Sequence, residues 1–297
     1  MYSVSRFLAP LFGLILLLAS QGLAIGGEVI ETGSDRFIYH DKYGESPREI
    51  SVFYHRPEGF TDTSPILIVM HGSSRAVVRY WRQWKDEAYQ YNALVLVPEL
   101  DKFDFPGSLS YHSGGMYDIV TGEEKPREQW TFSIIDRVFE EARRLTGSKR
   151  KKFRLYGHSA GGQFVHRYLT FTGGPKVSKA VAANPGWYTL PTMKIEFPYG
   201  IGDSTANEEN LEILFAKNLT ILLGEYDNRQ TSGVRQTPEA MEQGPHRLAR
   251  GKFYFKFGKR EAKKKGLPFN WRIQIVPNVA HSNGGMAPAA AKVLLEN

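Results

Sequence analysis

Residues 153–162 read Phe-Arg-Leu-Tyr-Gly-His-Ser-Ala-Gly-Gly, and this stretch decides the fold. Its first residues can form a strand, and a run compatible with a helix begins directly after the last glycine. Between the two lies Gly-His-Ser-Ala-Gly (157–161), a match to G-x-S-x-G in the strand–turn–helix setting that gives the pattern its meaning. A residue on so sharp a turn has strained backbone, so its neighbours two positions away must lack bulk. The pattern predicts that Ser159 is a nucleophile, and a plain loop is the alternative.

The composition is that of a globular protein with a sizeable core. The chain has 297 residues, of which 41% are hydrophobic and 13% aromatic, so global disorder is excluded. Its net charge of +7 is concentrated at 149–152 and 252–265, without a nucleic-acid-binding signature, so we predict no nucleic-acid partner. We interpret 252–265 as exposed loop charge, with a preference for anionic substrates as the alternative. The absence of cysteine excludes a thiol nucleophile, thiolate metal sites and disulfides.

The N-terminus predicts export. Arg6 is the only charge before Glu28, residues 7–18 are mostly apolar, and Gly-Leu-Ala (22–24) resembles a cleavage site. We therefore predict a signal peptide at 1–24, a single domain at 25–297 and a periplasmic or extracellular location. An uncleaved N-terminal anchor is the alternative; after cleavage we expect no stable membrane insertion.

Strands alternate with helices after a short β opening, which predicts an α/β fold with a mostly parallel sheet and helices on both faces. Ligands bind such sheets outside the carboxyl ends of the strands. Two segments, 101–122 and 187–210, lack periodicity and are predicted to be long loops. The predicted strands cover 36–41, 49–55, 65–70, 93–98, 153–157, 178–184, 218–224 and 271–277, and the predicted helices cover 80–91, 128–145, 163–169 and 286–295.

The other catalytic candidates follow the last two predicted strands. Asp227 comes after 218–224 and His281 after 271–277, so both should lie at the same sheet edge as Ser159. A serine hydroxyl needs an imidazole to take its proton, and a carboxylate fixes the imidazole tautomer. We therefore expect Ser159, Asp227 and His281 to be nucleophile, acid and base.

The sequence offers more than one candidate for the acid. Glu225 lies two residues before Asp227 and is its rival, and Asp203, in the preceding loop, is a third candidate. Asp227 could instead form an Asx turn with the residues that follow it.

Two backbone N–H groups are expected to bind the developing oxyanion. One belongs to Ala160, at the start of the helix after the nucleophile, where amides are unpaired and the helix dipole favours negative charge. The other should come from the loop after 65–70, through Ser73 or, as a second choice, Ser74.

Substrate contacts are predicted from loop residues at the same edge. Trp187 and Tyr188 could line an acyl or aryl pocket, or pack within a lid. His112, in the predicted loop 101–122, could contact the substrate. His158 is expected to pack beside the turn that carries Ser159. No metal-ligand spacing is present, so we predict no metal and no cofactor.

Four segments together resemble the α/β-hydrolase superfamily: Ile-Leu-Ile-Val-Met-His-Gly-Ser-Ser (66–74), Tyr-Gly-His-Ser-Ala-Gly-Gly (156–162), Gly-Glu-Tyr-Asp (224–227) and Val-Pro-Asn-Val-Ala-His (276–281). Within it the chain resembles esterases grouped with poly(3-hydroxybutyrate) depolymerases and feruloyl-type esterases. The resemblance implies a serine esterase with the catalytic residues given above. The lack of cysteine and of a polymer-binding module departs from that group.

The sequence thus predicts a secreted serine hydrolase that acts on a small-molecule or polymer-derived carboxylic ester through an acyl-enzyme. A serine peptidase or amidase of the same fold is the nearest alternative. A non-catalytic hydrolase-like binding protein, or an envelope protein that binds anionic polymers, would retain binding without Ser159.

Overall fold

An eight-stranded sheet forms the centre of the molecule, and the computed structural model describes residues 29–44, 46–231 and 233–296. The strands are β1 (Gly33–Asp41), β2 (Arg48–Arg56), β3 (Ile66–Met70), β4 (Leu94–Pro98), β5 (Phe153–His158), β6 (Val177–Ala183), β7 (Leu219–Gly224) and β8 (Arg272–Val276). Their order in the sheet is β1-β2-β4-β3-β5-β6-β7-β8. Strand β2 is antiparallel to both β1 and β4, and all other neighbours are parallel. The predicted strands are all present, and the mostly parallel sheet is confirmed.

Helices cover both faces of the sheet. They are α1 (Val77–Gln83), α2 (Lys85–Gln90), α3 (Thr131–Thr146), α4 (Ala160–Thr172), α5 (Glu208–Phe215), α6 (Pro238–Glu242), α7 (Arg247–Lys265) and α8 (Asn283–Leu295), with a short 3-10 helix at Arg127–Gln129. Helices α3, α4, α5 and α7 contribute to one hydrophobic core, and α1, α2 and α8 contribute to a second. Strand β3 supplies Ile68 to the first core and Leu67 to the second, which is why its sequence is a continuous apolar run.

Helix α7 corrects the interpretation of the basic segment 252–265 as a loop. The segment lies within a 19-residue helix, with Tyr254, Gly258 and Ala262 on its buried side at helical spacing. Its lysines occupy the exposed side and obscure this weak apolar stripe in the sequence. The helix ends at Gly266, which has a left-handed backbone conformation.

The predicted signal peptide, residues 1–24, lies outside the described residues. Within the part of the chain that the structure describes, none of the helices combines the length and apolar character needed to cross a membrane.

Candidate active site

Ser159 lies on a sharp turn between β5 and α4. Its φ and ψ angles are 58° and −117°, in a region that non-glycine residues rarely adopt. The turn is fixed by hydrogen bonds on both sides: the Ser159 N–H donates to the Ala183 carbonyl at 2.9 Å, and the Ser159 carbonyl accepts the Gln163 N–H at 3.0 Å. The strained serine therefore sits at the carboxyl edge of the sheet, as the sequence predicts.

Two glycines allow this turn to pack closely. A Cβ atom on Gly157 would overlap the carbonyl group of Gly161, and one on Gly161 would overlap the carbonyl of Met70 at the end of β3. Helix α4 therefore begins directly against the backbone of β3. This close approach is the physical reason for small residues two positions on either side of Ser159.

His281 and Asp227 form a hydrogen-bonded pair. His281 Nδ1 is 2.7 Å from Asp227 Oδ2, and the Asp227 side chain is only 4% exposed, whereas that of His281 is 30% exposed. An ionised carboxylate can only accept a hydrogen bond, so Nδ1 carries the proton and Nε2 is left as an acceptor. This is the tautomer that a general base for a serine hydroxyl requires.

The two rival acids lie elsewhere. Glu225 is exposed, and its Oε2 accepts the backbone N–H of Asn278 at 2.9 Å. Asp203 is also exposed, before α5. Only Asp227, among these three acids, is brought to His281.

A cleft of about 310 Å³ contains both Ser159 and His281. Among the described residues no hydrogen bond joins the two side chains, which agrees with the loose catalytic contacts of many unliganded sites. His158 lies directly behind, with its ring centroid 4.6 Å from that of His281. The cleft is lined by Gly72, Ser73, Ser74, Arg79, Tyr80, Gln83, His158, Ser159, His281, Ser282 and Asn283.

The two residues predicted as oxyanion donors flank Ser159 from different segments. Ser73 lines it directly, and a Cβ atom on the preceding Gly72 would be 3.6 Å from Ser159 Cβ. Ala160 is the first residue of α4, where a backbone N–H has no partner inside the helix. Both amides therefore come from segments that adjoin the nucleophile.

His71 holds the loop that carries Ser73. It is fully buried, its Nε2 accepts the Leu100 N–H at 3.3 Å, and its carbonyl accepts the Tyr111 hydroxyl at 2.6 Å. Burial lowers the pKa of His71 to about 4, so the ring is neutral and can accept at Nε2. From the sequence, His71 belongs to the segment expected to place the Ser73 amide, but its bonds to Leu100 and Tyr111 have no sequence signal.

Arg247 is the other functional neighbour that the sequence did not predict. Its Nη1 donates to Asp227 Oδ1 at 3.2 Å, and its Nη2 donates to the Gly233 carbonyl at 3.0 Å. No motif marks this arginine, and only the packing of α7 against β7 brings it to the site.

Trp187 and Tyr188 lie in the irregular segment predicted at 187–210, but their side chains are buried. Tyr188 is fully buried and stacks on Tyr254 of α7 at 4.3 Å, and Trp187 is only 4% exposed, against the guanidinium of Arg167. Both are core residues, so neither offers a surface to a substrate. The sequence left pocket lining and packing open as equal interpretations, and the burial of both side chains favours packing.

Within the described residues, no group of three or more His, Asp or Glu side chains is arranged to hold a metal ion. The chemistry available at the cleft is that of a serine, an imidazole and a carboxylate.

The site has a strained serine turn after the central strand of a mostly parallel sheet, and an acid and a histidine after the last two strands. This arrangement defines the α/β-hydrolase class. The solved structures agree. Poly(aspartic acid) hydrolase-1 from Sphingomonas sp. KT-1 is 40% identical, with a TM-score of 0.86, over 90% of this chain and 100% of that one. The poly(3-hydroxybutyrate) depolymerase LpqC from Bordetella parapertussis is 33% identical, with a TM-score of 0.84, over 89% of each chain.

A more distant structure shares the fold alone. It is an S-formylglutathione hydrolase from Agrobacterium tumefaciens, 13% identical with a TM-score of 0.52, over 90% of this chain and 98% of that one. No protein-family model and no curated protein sequence matches the chain. The chain belongs to the α/β-hydrolase superfamily, in the same family as poly(aspartic acid) hydrolase-1 and LpqC, and it is a hydrolase.

Proposed function

We propose that the protein is a serine hydrolase that cleaves carboxylic esters through an acyl-enzyme on Ser159. The observation that carries the proposal is the hydrogen bond from His281 Nδ1 to the buried Asp227, because it leaves Nε2 free to accept a proton in the cleft that contains Ser159. The strained backbone at Ser159 adds support, since such strain is retained where the surrounding structure enforces it for function.

The proposed reaction has two halves. His281 Nε2 takes the Ser159 proton as Oγ attacks the ester carbonyl, and Asp227 stabilises the imidazolium that forms. The N–H groups of Ser73 and Ala160 bind the oxyanion, and loss of one such donor costs about 10²–10³ in turnover. The imidazolium then protonates the leaving alcohol, and a water activated by His281 releases the acid from Ser159.

Hydrolysis of p-nitrophenyl esters, from acetate to octanoate, tests this function. We expect turnover that is abolished in Ser159→Ala and strongly reduced in His281→Gln, with circular dichroism unchanged in both variants. A fall in kcat/KM with acyl length would reflect the small volume of the cleft. Full activity in Ser159→Ala would contradict the mechanism, and a folded native protein without turnover would favour a non-catalytic binding protein.

Amide hydrolysis of an acidic polymer is a second candidate, supported by the 40% identity to a poly(aspartic acid) hydrolase. The 33% identity to LpqC instead supports an aliphatic polyester. Incubation with poly(aspartic acid) and, separately, with 3-hydroxybutyrate oligomers decides between the two. New amines from the first point to an amidase, and new hydroxy acids from the second point to an esterase.

We also propose that the enzyme is exported and acts as the single domain 25–297. The charge and apolar pattern of residues 1–24 supports this. N-terminal sequencing of the protein from the periplasm or medium should begin near residue 25. Recovery with Met1 intact in the membrane fraction would instead indicate an N-terminal anchor.

A further inference from the structure

A second cavity adjoins the loop that carries Ser73. It has a volume of about 300 Å³ and is lined by Ser73, Arg75, Lys102, Pro106, Gly107, Ser108, Tyr111 and His112. Ser73 also lines the cleft that contains Ser159, so the two cavities meet at the proposed oxyanion loop. Ser73 is therefore a wall residue that the two cavities share.

His112 lines this cavity and carries a hydrogen-bond donor that is not used within the described part of the chain. Arg167 Nη1 lies 2.6 Å from His112 Nδ1, and a guanidinium can only donate, so Nδ1 is the acceptor. Burial first, and the charge of Arg167 second, hold the pKa of His112 well below its usual range, so the ring is neutral. The proton of the neutral ring is therefore on Nε2, to which no hydrogen bond is made among the described residues.

Arg167 is a buried cation that forms no salt bridge with a carboxylate of the described residues. Its side chain is fully buried, and the partners that it has among the described residues are neutral: His112, the Thr189 hydroxyl at 2.8 Å and the Trp187 ring at 4.1 Å. Its Nη2 has no hydrogen-bond partner among the described residues. Burial and the nearby Arg235 lower the pKa of Arg167 to about 9, which leaves it charged at neutral pH. An uncompensated buried charge is costly, and an anion beside His112 would offset that cost.

Two cations, Lys102 and Arg75, line the cavity itself. Lys102 is exposed and forms no ion pair within the described ranges. Arg75 donates to backbone carbonyls of residues 100, 101, 105 and 107, which leaves its positive charge without a bound carboxylate. The acid near Arg75 is Asp101, whose Oδ1 accepts the amides of residues 103 and 104 in its own loop. The cavity is thus suited to an anion.

We propose that this cavity is a carboxylate-binding subsite, in which His112 Nε2–H and Lys102 bind a carboxylate carried by the acyl part of the substrate. The proposal rests on the serine-hydrolase function proposed above, since the subsite acts beside the acyl carbonyl at Ser73. In this proposal His112 selects substrates that carry a carboxylate, and Arg167 positions the His112 ring through its contact with Nδ1.

The test compares p-nitrophenyl hydrogen succinate with the neutral p-nitrophenyl butyrate, which have acyl chains of equal length. We expect the native enzyme to prefer the succinate in kcat/KM, and the preference to fall at high ionic strength. Lys102→Ala and His112→Phe should each lower the succinate/butyrate ratio about tenfold, as expected for one hydrogen bond to a charged group. Lys102→Glu should lower it further, whereas the exposed Lys259→Ala on α7 should leave the ratio unchanged.

Arg79→Gln tests whether the substrate carboxylate binds in the Ser159 cleft instead, because Arg79 is an exposed cation of that cleft. Loss of the succinate preference in Arg79→Gln, with the ratio retained in the Lys102 and His112 variants, would overturn the proposal. Equal kcat/KM for the two esters in the native enzyme would overturn it as well.

Calorimetric titration of succinate into Ser159→Ala separates the subsite from catalysis. Binding that weakens with salt and is lost in Ser159→Ala/Lys102→Glu supports the subsite, even if the native protein hydrolyses neither ester and the serine-hydrolase function fails. No heat of binding to Ser159→Ala would overturn the subsite, even if butyrate hydrolysis confirms the enzyme.

Discussion

Arg247 donates to Asp227 across 3.2 Å, from Nη1 to Oδ1, and their side chains are only 7% and 4% exposed. Because Oδ2 of the same carboxylate accepts from His281, the acid is held between a cation and the imidazole that it orients. The salt bridge also connects α7 to the loop after β7. The position of His281 therefore depends on an arginine 34 residues before it in the chain.

Arg247→Met should lower both activity and stability. Removing one partner of a buried pair leaves an uncompensated charge, for which we expect a loss of about 3 kcal/mol in the free energy of unfolding. Misorientation of the imidazole should lower kcat on p-nitrophenyl acetate by about tenfold, with little change in KM. Urea unfolding and steady-state kinetics measure the two effects, with the exposed Arg260→Met on the same helix as control. Native kcat in Arg247→Met would show that Asp227 needs no such support.

Gly157→Ala should destabilise the fold through a backbone clash. The new methyl group would overlap the Gly161 carbonyl, and overpacking of this kind costs about 1–3 kcal/mol or more. Gly266→Ala separates clash from backbone strain, because Gly266 has a φ of 66° but open space around it. We expect it to cost only about 1 kcal/mol. Equal losses for the two variants in urea unfolding would contradict the close packing of the start of α4 against the end of β5.

Protonation of buried histidines should destabilise the protein in acid. The folded-state pKa of His71 is about 4, below the usual value of 6.5. The unfolded chain therefore binds a proton first as the pH falls, so the stability from this group is complete above pH ~7 and is lost between pH ~6.5 and ~4. Burial lowers the pKa values of His112, His158 and His166 in the same direction.

The variant His71→Asn isolates one of these groups. Between pH ~7.5 and ~5 its free energy of unfolding should fall by about 2 kcal/mol less than that of the native protein, because one titrating group is removed. Urea unfolding across this pH range measures the difference. Parallel pH profiles for the two proteins would mean that His71 titrates normally in the fold.

Tyr80→Phe should remove a hydrogen bond at the floor of the cleft while leaving Ser159, Asp227 and His281 in place. The Tyr80 hydroxyl is 3.0 Å from His158 Nδ1, and burial raises the pKa of Tyr80 to about 12, so the hydroxyl is intact at neutral pH. Its removal leaves a buried nitrogen without a partner, which costs about 1–3 kcal/mol of stability. Thermal unfolding should report this loss, and Tyr89→Phe, on the exposed surface of α2, should have no effect. An unchanged Tm in Tyr80→Phe would show that His158 needs no partner there.

Much of the fold could be predicted because its signals are local. The apolar runs at 66–70 and 94–98 indicate strands buried on both faces, and Gly147 marks the end of α3 through its left-handed backbone. The placement of Ser159, Asp227 and His281 at one edge follows from strand direction, because each comes after the carboxyl end of a parallel strand.

The remainder depends on contacts between distant segments. Arg247 belongs to a helix whose lysines suggest an exposed loop, and only tertiary packing buries it against Asp227. Tyr188 lies in a segment without periodicity, which predicts a loop, but its ring stacks on that of Tyr254, 66 residues later in the chain. Neither relationship has a sequence period or motif that could reveal it.

Labelling with a fluorophosphonate, followed by peptide mass spectrometry, tests the central claim most directly. The probe captures a serine only where a neighbouring base activates the hydroxyl. We predict a single phosphonylated residue, Ser159, with no labelling in Ser159→Ala or in heat-denatured protein and much slower labelling in His281→Gln. Labelling of a different residue, or none in the folded native protein, would contradict the account.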